Sequence, residues 1–186
     1  QLRTQVLKDR KALPEVVKQQ NFQEIIQKLK HFPLFQRSDH ILAYYGKTIS
    51  GEFNTRPLLE HLIFHKRCYL PKSIESTHSL DLYQVQSLDH DLERGLYKIM
   101  EPKPAVCHQV DLERIDLVIV PGSVFDHTGG RYGYGAGYYD RLLQNYSGIK
   151  VALALNRFVM PFELSLHKND VKMDYIITEE KIYTQE

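Results

Sequence analysis

The chain has 186 residues, 42% of them hydrophobic, which is a length typical of one domain and enough apolar material for a buried core. Its 24 Lys and Arg against 23 Asp and Glu leave a formal charge of +1, so no global field draws it to nucleic acid or to an anionic membrane, and binding must come from particular sites. The two cysteines, Cys68 and Cys107, have no CxxC spacing and read as small buried hydrophobes in a reducing compartment. No stretch has the length and apolarity of a membrane span, and the opening QLRTQVLKDRK is too charged for a signal sequence, so a cytoplasmic protein is expected.

The chain opens with two predicted helices, Leu2–Leu13 and Glu15–Lys30, separated at Pro14. Phe22, Ile25, Ile26 and Leu29 recur at i, i+3, i+4, i+7 and form one buried stripe, whereas Arg3, Lys8, Arg10 and Lys11 read by default as a solvated face. Ile41–Tyr45 is a short apolar run and a buried strand. Thr55 and Pro57 mark the start of a helix over Arg56–Lys66, with Thr55 as N-cap, and Cys68–Pro71 follows as a strand, completing a right-handed βαβ unit. His61, His65 and Cys68 have spacings from which a zinc site can be drawn, but Cys68 falls in a different element and no fourth ligand is near, so the histidines read as a polar helix face.

Leu80–Gln86 alternates apolar and polar residues, which suggests a half-exposed strand at a sheet edge. Asp116–Pro121 holds the solid run Leu117-Val118-Ile119-Val120 and is the clearest central strand. Val151–Leu155 and Asp174–Thr178 are two more. Strands alternating with helices predict a single α/β domain over 1–186, a three-layer sandwich with a mainly parallel, Rossmann-like sheet, helices on both faces and ligands at the strands' C-terminal ends.

Pro121–Arg141, PGSVFDHTGGRYGYGAGYYDR, sits at that edge, between the central strand and a helix over Tyr138–Tyr146. Gly129, Gly130, Gly133, Gly135 and Gly137 are denser than an ordinary connection needs. Glycines after a strand and before a helix allow close backbone approach to a phosphate, while Arg131, Tyr132, Tyr134, Tyr138 and Tyr139 add charge and aromatic faces. The same glycines are compatible with a plain flexible turn. No glycine is followed by Lys and then Ser or Thr, which excludes a Walker A loop, and the spacing does not give G-x-G-x-x-G. Ser123 and His127 flank the loop without the third member of a triad.

Gly130-Arg131-Tyr132-Gly133-Tyr134-Gly135-Ala136-Gly137-Tyr138-Tyr139-Asp140-Arg141, entered from a strand ending Val-Pro-Gly, resembles the signature of the 5-formyltetrahydrofolate cyclo-ligase family, also called 5,10-methenyltetrahydrofolate synthetase. The likeness in length and element order covers nearly the whole chain. It implies ATP-dependent conversion of 5-formyltetrahydrofolate to 5,10-methenyltetrahydrofolate with release of ADP and phosphate, with Mg2+ as cofactor and ATP and a reduced folate as the partners of a monomeric enzyme. Residue by residue, it implies ATP contacts from Arg3, Arg131, Tyr132, Gly133, Tyr134, Gly135, Ala136, Gly137, Tyr138 and Tyr139. It implies folate contacts from Tyr45, Glu52, Tyr134, Gly135, Ala136, Gly137 and Tyr138, catalytic roles for Arg131 and Tyr134, and Mg2+ ligation by Asp140 and Asp170.

Arg3 enters because Leu2-Arg3-Thr4-Gln5-Val6 and Arg10-Lys11-Ala12-Leu13 match the family's basic first helix, and Glu52 because Glu52-Phe53-Asn54-Thr55 matches its E-x-x-T. Gly95–Met100 with Glu101-Pro102 resembles a short strand ending in Glu-Pro near the cleft. Asp170 corresponds to the acidic partner in an N-D-x-K-x-D stretch, here Asn169–Asp174. For Asp170 to meet Asp140, the strand beginning at Asp174 is expected to be an antiparallel edge strand. Vertebrate-like members carry basic residues where this chain has Tyr134 and Ala136, so phosphate charge must be met by Arg131, Arg3, Mg2+ and backbone N–H groups. A sugar-phosphate isomerase or CoA-transferase-like enzyme, or a sensor of phosphorylated metabolites, is the other reading that the same architecture allows.

Overall fold

The structure, a computed structural model, describes residues 1–185. Five helices, α1 (Leu2–Ala12), α2 (Glu15–His31), α3 (Pro33–Arg37), α4 (Arg56–His65) and α5 (Tyr138–Leu143), accompany thirteen strands. The strands are β1 (His40–Leu42), β2 (Arg67–Ile74), β3 (Ser79–Val85), β4 (Leu92–Arg94), β5 (Met100–Pro102), β6 (His108–Val110), β7 (Leu117–Ile119), β8 (Val124–Asp126), β9 (Arg131–Tyr132), β10 (Ile149–Leu153), β11 (Val159–Met160), β12 (Tyr175–Ile177) and β13 (Ile182–Thr184). Eight of them form one sheet in the order β13-β12-β10-β7-β1-β2-β3-β6. The five strands from β12 to β2 are parallel, and β13, β3 and β6 are added antiparallel to their neighbours at the two flanks.

The period-2 rule explains the layers. Leu117 and Ile119 point to one face, where they meet Phe22, Ile25 and Leu29 of α2 and Leu58, Leu59 and Leu62 of α4 in one buried cluster. Val118 and Val120 point to the other face, where Leu143 of α5, Tyr139 and Tyr146 cover them. Helices therefore lie on both faces, but unequally, with α5 alone on the second. The mainly parallel α/β sandwich expected from the sequence is the observed fold, and the apolar stripe of α2 is buried as its spacing requires.

Several local expectations differ. The strand after Asp174, β12, is parallel to β10; the antiparallel edge strand is the next one, β13, which pairs Tyr175 with Thr184. β3 is not an edge, because the three residues of β6 pair with it at Leu82–Gln84. Gly95–Met100 is not a strand: it contains a 3-10 turn over Leu96–Lys98, with Tyr97 and Lys98 at φ of 56° and 61°, and the strand begins only at Met100. Thr55 precedes α4 but makes no side-chain cap. Its hydroxyl donates to Tyr44 O at 2.8 Å and accepts from Gly46 N–H at 2.9 Å, which fixes the chain leaving β1, and Asn54 accepts the Arg56 N–H. The predicted helix from Tyr138 stops at Leu143. No helix among the described residues is long and apolar enough to cross a membrane.

Candidate active site

A cleft of about 340 Å³ opens at the C-terminal ends of β1, β2 and β7. One wall is the glycine-rich loop from Arg131 to Asp140, the other the hairpin β4–β5 with Ile99, Met100 and Glu101, and the segment after β1 closes the end with Tyr44, Tyr45 and Glu52. Most site residues expected from the sequence thus meet in one place, including Tyr45, Glu52, Arg131, Gly133, Tyr134, Ala136, Gly137, Tyr138, Tyr139 and Asp140. Arg3 stands outside the lining but against the loop, its Nη1 donating to Gly133 O at 3.3 Å and lying near Gly135. Tyr132 begins the turn, and its hydroxyl donates to Ser165 O.

The loop is held by its carbonyls. Ser123 Oγ donates to Tyr132 O at 2.9 Å and Gly133 O at 3.1 Å, and Arg141 Nη1 donates to Ala136 O at 2.7 Å. Ser123, which the sequence leaves without a triad, is therefore a loop anchor, while His127 N–H bonds Met160 O. Among the described residues no N–H from Gly133 to Tyr138 has an intramolecular acceptor. A row of unpaired N–H groups beside a cleft is the backbone arrangement that receives an anion.

The glycines are less uniform than their density suggests. A methyl group at Gly130 would overlap the Asp126 carboxylate, and one at Gly133 would stand 3.0 Å from Arg131 Nη1, so both make room for side chains of the protein itself. Gly135, at φ of 106° with only Arg3 within reach of a methyl, is the position left open. The sequence gives no signal for Asp126. It is fully buried, accepts the Thr128 hydroxyl and the N–H groups of Thr128, Gly130 and Leu164, and so pins the base of the loop to the segment after β11. Burial alone would raise its pKa, but these hydrogen bonds outweigh it and hold the carboxyl below its ordinary value.

Arg131 is sealed in. Its side chain is 2% exposed; Nη2 donates to Asp140 Oδ1 at 2.7 Å, Nη1 to Pro121 O at 3.0 Å, and Nε has no partner. Asp140 Oδ1 also accepts the Val171 N–H at 3.1 Å, which ties the segment entering β12 to the first turn of α5. Although β12 is parallel, the residue next to Asp170 therefore reaches Asp140 on its way to the far edge. Asp170 itself does not line the cleft, and its Oδ2 accepts the His167 N–H at 2.7 Å. No group of three or more His, Cys, Asp or Glu side chains among the described residues is placed to hold a metal. A hard cation here would rest on Asp140, whose Oδ2 makes no hydrogen bond, with Asp170 close along the chain and phosphate oxygens and water completing the shell, which is the donor set magnesium prefers.

Arg10 is a site-building residue to which the sequence reading gives no site role, although Arg10-Lys11-Ala12-Leu13 is part of the match to the family's basic first helix. It lies two turns from Arg3 on the same face of α1, and its guanidinium donates to Gly122 O at 3.0 Å, Ser123 O at 3.2 Å and Gly51 O at 3.4 Å, joining α1 to two cleft loops. The spacing of seven residues was the available signal. Tyr134 donates to the same Gly122 carbonyl at 3.3 Å. Desolvation and the Glu52 charge push its phenol upward, desolvation does the same for Tyr44 and Tyr139, and the hydrogen bond with Tyr97 pushes Tyr138 to about 12. All four phenols keep their protons at neutral pH. His61 and His65 lie 4.4 Å apart on α4 with Cys68 buried in β2, so the three do not converge on a metal site.

Residues 1–179 match the model of the 5-formyltetrahydrofolate cyclo-ligase family. The chain is 31% identical over 158 residues to the 5-formyltetrahydrofolate cyclo-ligase of Haemophilus influenzae, with 83% of each chain covered. It is 29% identical over 178 residues to that of Escherichia coli, covering 94% of this chain and 96% of the relative. The solved structure of Aquifex aeolicus 5,10-methenyltetrahydrofolate synthetase superposes with a TM-score of 0.84 at 34% identity, over 99% of this chain and 91% of that one. A synthetase structure from Mycoplasma pneumoniae shares the fold at a TM-score of 0.73 and 23% identity. With the glycine loop, the Val-Pro-Gly strand end and the full sheet order in place, the chain belongs to the 5-formyltetrahydrofolate cyclo-ligase family.

Proposed function

We propose that this protein closes 5-formyltetrahydrofolate to 5,10-methenyltetrahydrofolate at the expense of ATP. The formyl oxygen, a poor leaving group, attacks the γ-phosphorus and ADP departs. The resulting N5 iminium phosphate is attacked at carbon by N10, which loses its proton, and expulsion of inorganic phosphate leaves the methenyl bridge. Such a sequence needs positioning and neutralisation of charge more than a protein nucleophile. The observation that carries this reading is the cleft itself: a loop whose N–H groups from Gly133 to Tyr138 are unpaired among the described residues borders a largely apolar cavity large enough for a planar ring, in a chain of this family.

In this reading the loop N–H groups and Arg3 take the phosphates, the neutral phenol of Tyr138 donates to an oxygen of the substrates, Tyr134, whose proton is held by Gly122 O, offers its ring face, and Tyr45 and Glu52 border the folate. Asp140, with Asp170, would hold Mg2+, which supplies charge neutralisation at the phosphates. Arg131 and the Val171 N–H hold Asp140 through Oδ1, which aims the carboxylate and leaves Oδ2 for the cation. The test is spectroscopic. Purified protein with 5-formyltetrahydrofolate and Mg-ATP should develop the absorbance of the methenyl product with ADP formed in equal amount, and the absence of an ATP-dependent signal at micromolar protein overturns the proposal.

A further inference from the structure

The two ends of the cleft differ in chemistry. The loop end offers N–H donors; the opposite end, beneath β4–β5, is formed by Pro71, Leu80, Ile99 and Met100 and contains one charge, Glu101. That carboxylate is 4% exposed. Its Oε1 accepts the Ser73 N–H at 3.2 Å, but Oε2 has only Lys72 Nζ at 3.9 Å, outside hydrogen-bond range, and Lys72 sits closer to Glu93, at 3.1 Å. The hairpin makes space for this group: a methyl at Gly95 would overlap Glu101 Oε2. A buried carboxylate costs free energy unless donors complete it, so a half-completed one in a binding cleft points to donors brought by the ligand. Phosphate and a glutamyl carboxylate are excluded as its partners by like charge. A neutral ring edge with two adjacent N–H donors matches a carboxylate in the bidentate way that a guanidinium does.

Resting on the function proposed above, we infer that Glu101 is the specificity-determining residue for the pterin, its carboxylate accepting the lactam N–H and the 2-amino group. The ring is then seated at the β4–β5 end, and the N5 formyl and N10 side is presented to the glycine loop, where the γ-phosphate lies.

The experiment measures binding of 5-formyltetrahydrofolate without nucleotide, by calorimetry, to the parent protein and to Glu101→Gln. The amide keeps the volume and the acceptor for Ser73 but loses the charge and one acceptor. The dissociation constant for the folate should rise about ten- to a hundredfold while that for ATP stays unchanged. An analogue lacking the 2-amino group should bind the parent protein correspondingly weakly, yet bind Glu101→Gln no worse than the complete folate does. Unchanged folate affinity in the variant, or an analogue penalty as large in the variant as in the parent, overturns the assignment. If Glu101→Gln does not fold, the parent alone decides, since equal affinity for folate and analogue also overturns it. A parent protein that binds no reduced folate at all refutes the proposed function instead, so the two failures are distinguishable.

Discussion

Removing the Asp140 side chain should damage the fold as well as the site. Asp140→Ala leaves the Arg131 guanidinium, 2% exposed, with Pro121 O as its one remaining acceptor and with an Nε that is already unpartnered. Breaking a buried pair by deleting one member costs about 3–5 kcal/mol, because the surviving charge cannot be rehydrated. Asp140 is 19% exposed, so water can enter part of the gap, and the lower end, about 3 kcal/mol, is the appropriate figure. For a chain of this size that lowers Tm by about 6–12 °C.

Asp140→Asn keeps an oxygen for Nη2 and for the Val171 N–H and loses only the charge on the hydrogen bond, which costs about 1 kcal/mol. The assay is a thermal melt followed by circular dichroism, repeated in urea to check that the m-value is unchanged. An Asp140→Ala protein melting with the parent, or one no less stable than Asp140→Asn, refutes the claim that Arg131 depends on this carboxylate.

Arg131→Ala should therefore lose both activity and stability, whereas Arg3→Ala, which removes an exposed contact at 3.3 Å, should weaken ATP binding and leave Tm untouched; equal effects in the two variants contradict this division. Gly130→Ala forces a methyl into the Asp126 carboxylate and should cost about 1–3 kcal/mol in urea denaturation, although the loop stays glycine-rich. Asp126 ties stability to acid. Its folded pKa lies below the ordinary 3.8, so its contribution is complete above that value and is lost as pH falls through the lowered one. Asp126→Asn should consequently be less stable at neutral pH but show a flatter acid limb in its stability profile, and an unchanged limb removes Asp126 from the account.

The sequence exposed the sheet's centre because burial on both faces requires it: Leu117 to Val120 is apolar without interruption, and no other placement suits such a run. It could not show the direction of the strand after Asp174, since Tyr175, Ile176 and Ile177 pack equally well in either sense and the choice rests on pairing with Lys150 and Val151, far along the chain. The small sheet of β8, β9 and β11 was invisible for the same reason, with two or three residues per strand and no local period. Glycine density located the loop correctly, but it does not distinguish room for a ligand from room for a neighbouring side chain, and Gly130 and Gly133 are of the second kind. Arg131 shows the same ambiguity in charge. A guanidinium in a glycine loop reads as a phosphate contact, and only the burial against Asp140 identifies its structural partner. Glu101, quoted in the sequence as half of a Glu-Pro pair, is seen to be a buried cleft carboxylate only once β5 pairs with β4 and its side chain meets Ser73 of β2.

The central claim, that the formyl oxygen is phosphorylated and leaves as phosphate, is tested most directly by tracing that oxygen. With 5-formyltetrahydrofolate labelled with oxygen-18 in the formyl group, Mg-ATP and this protein, the inorganic phosphate released should carry the label in step with formation of the methenyl product. Label recovered in water, with phosphate unlabelled, would contradict the account.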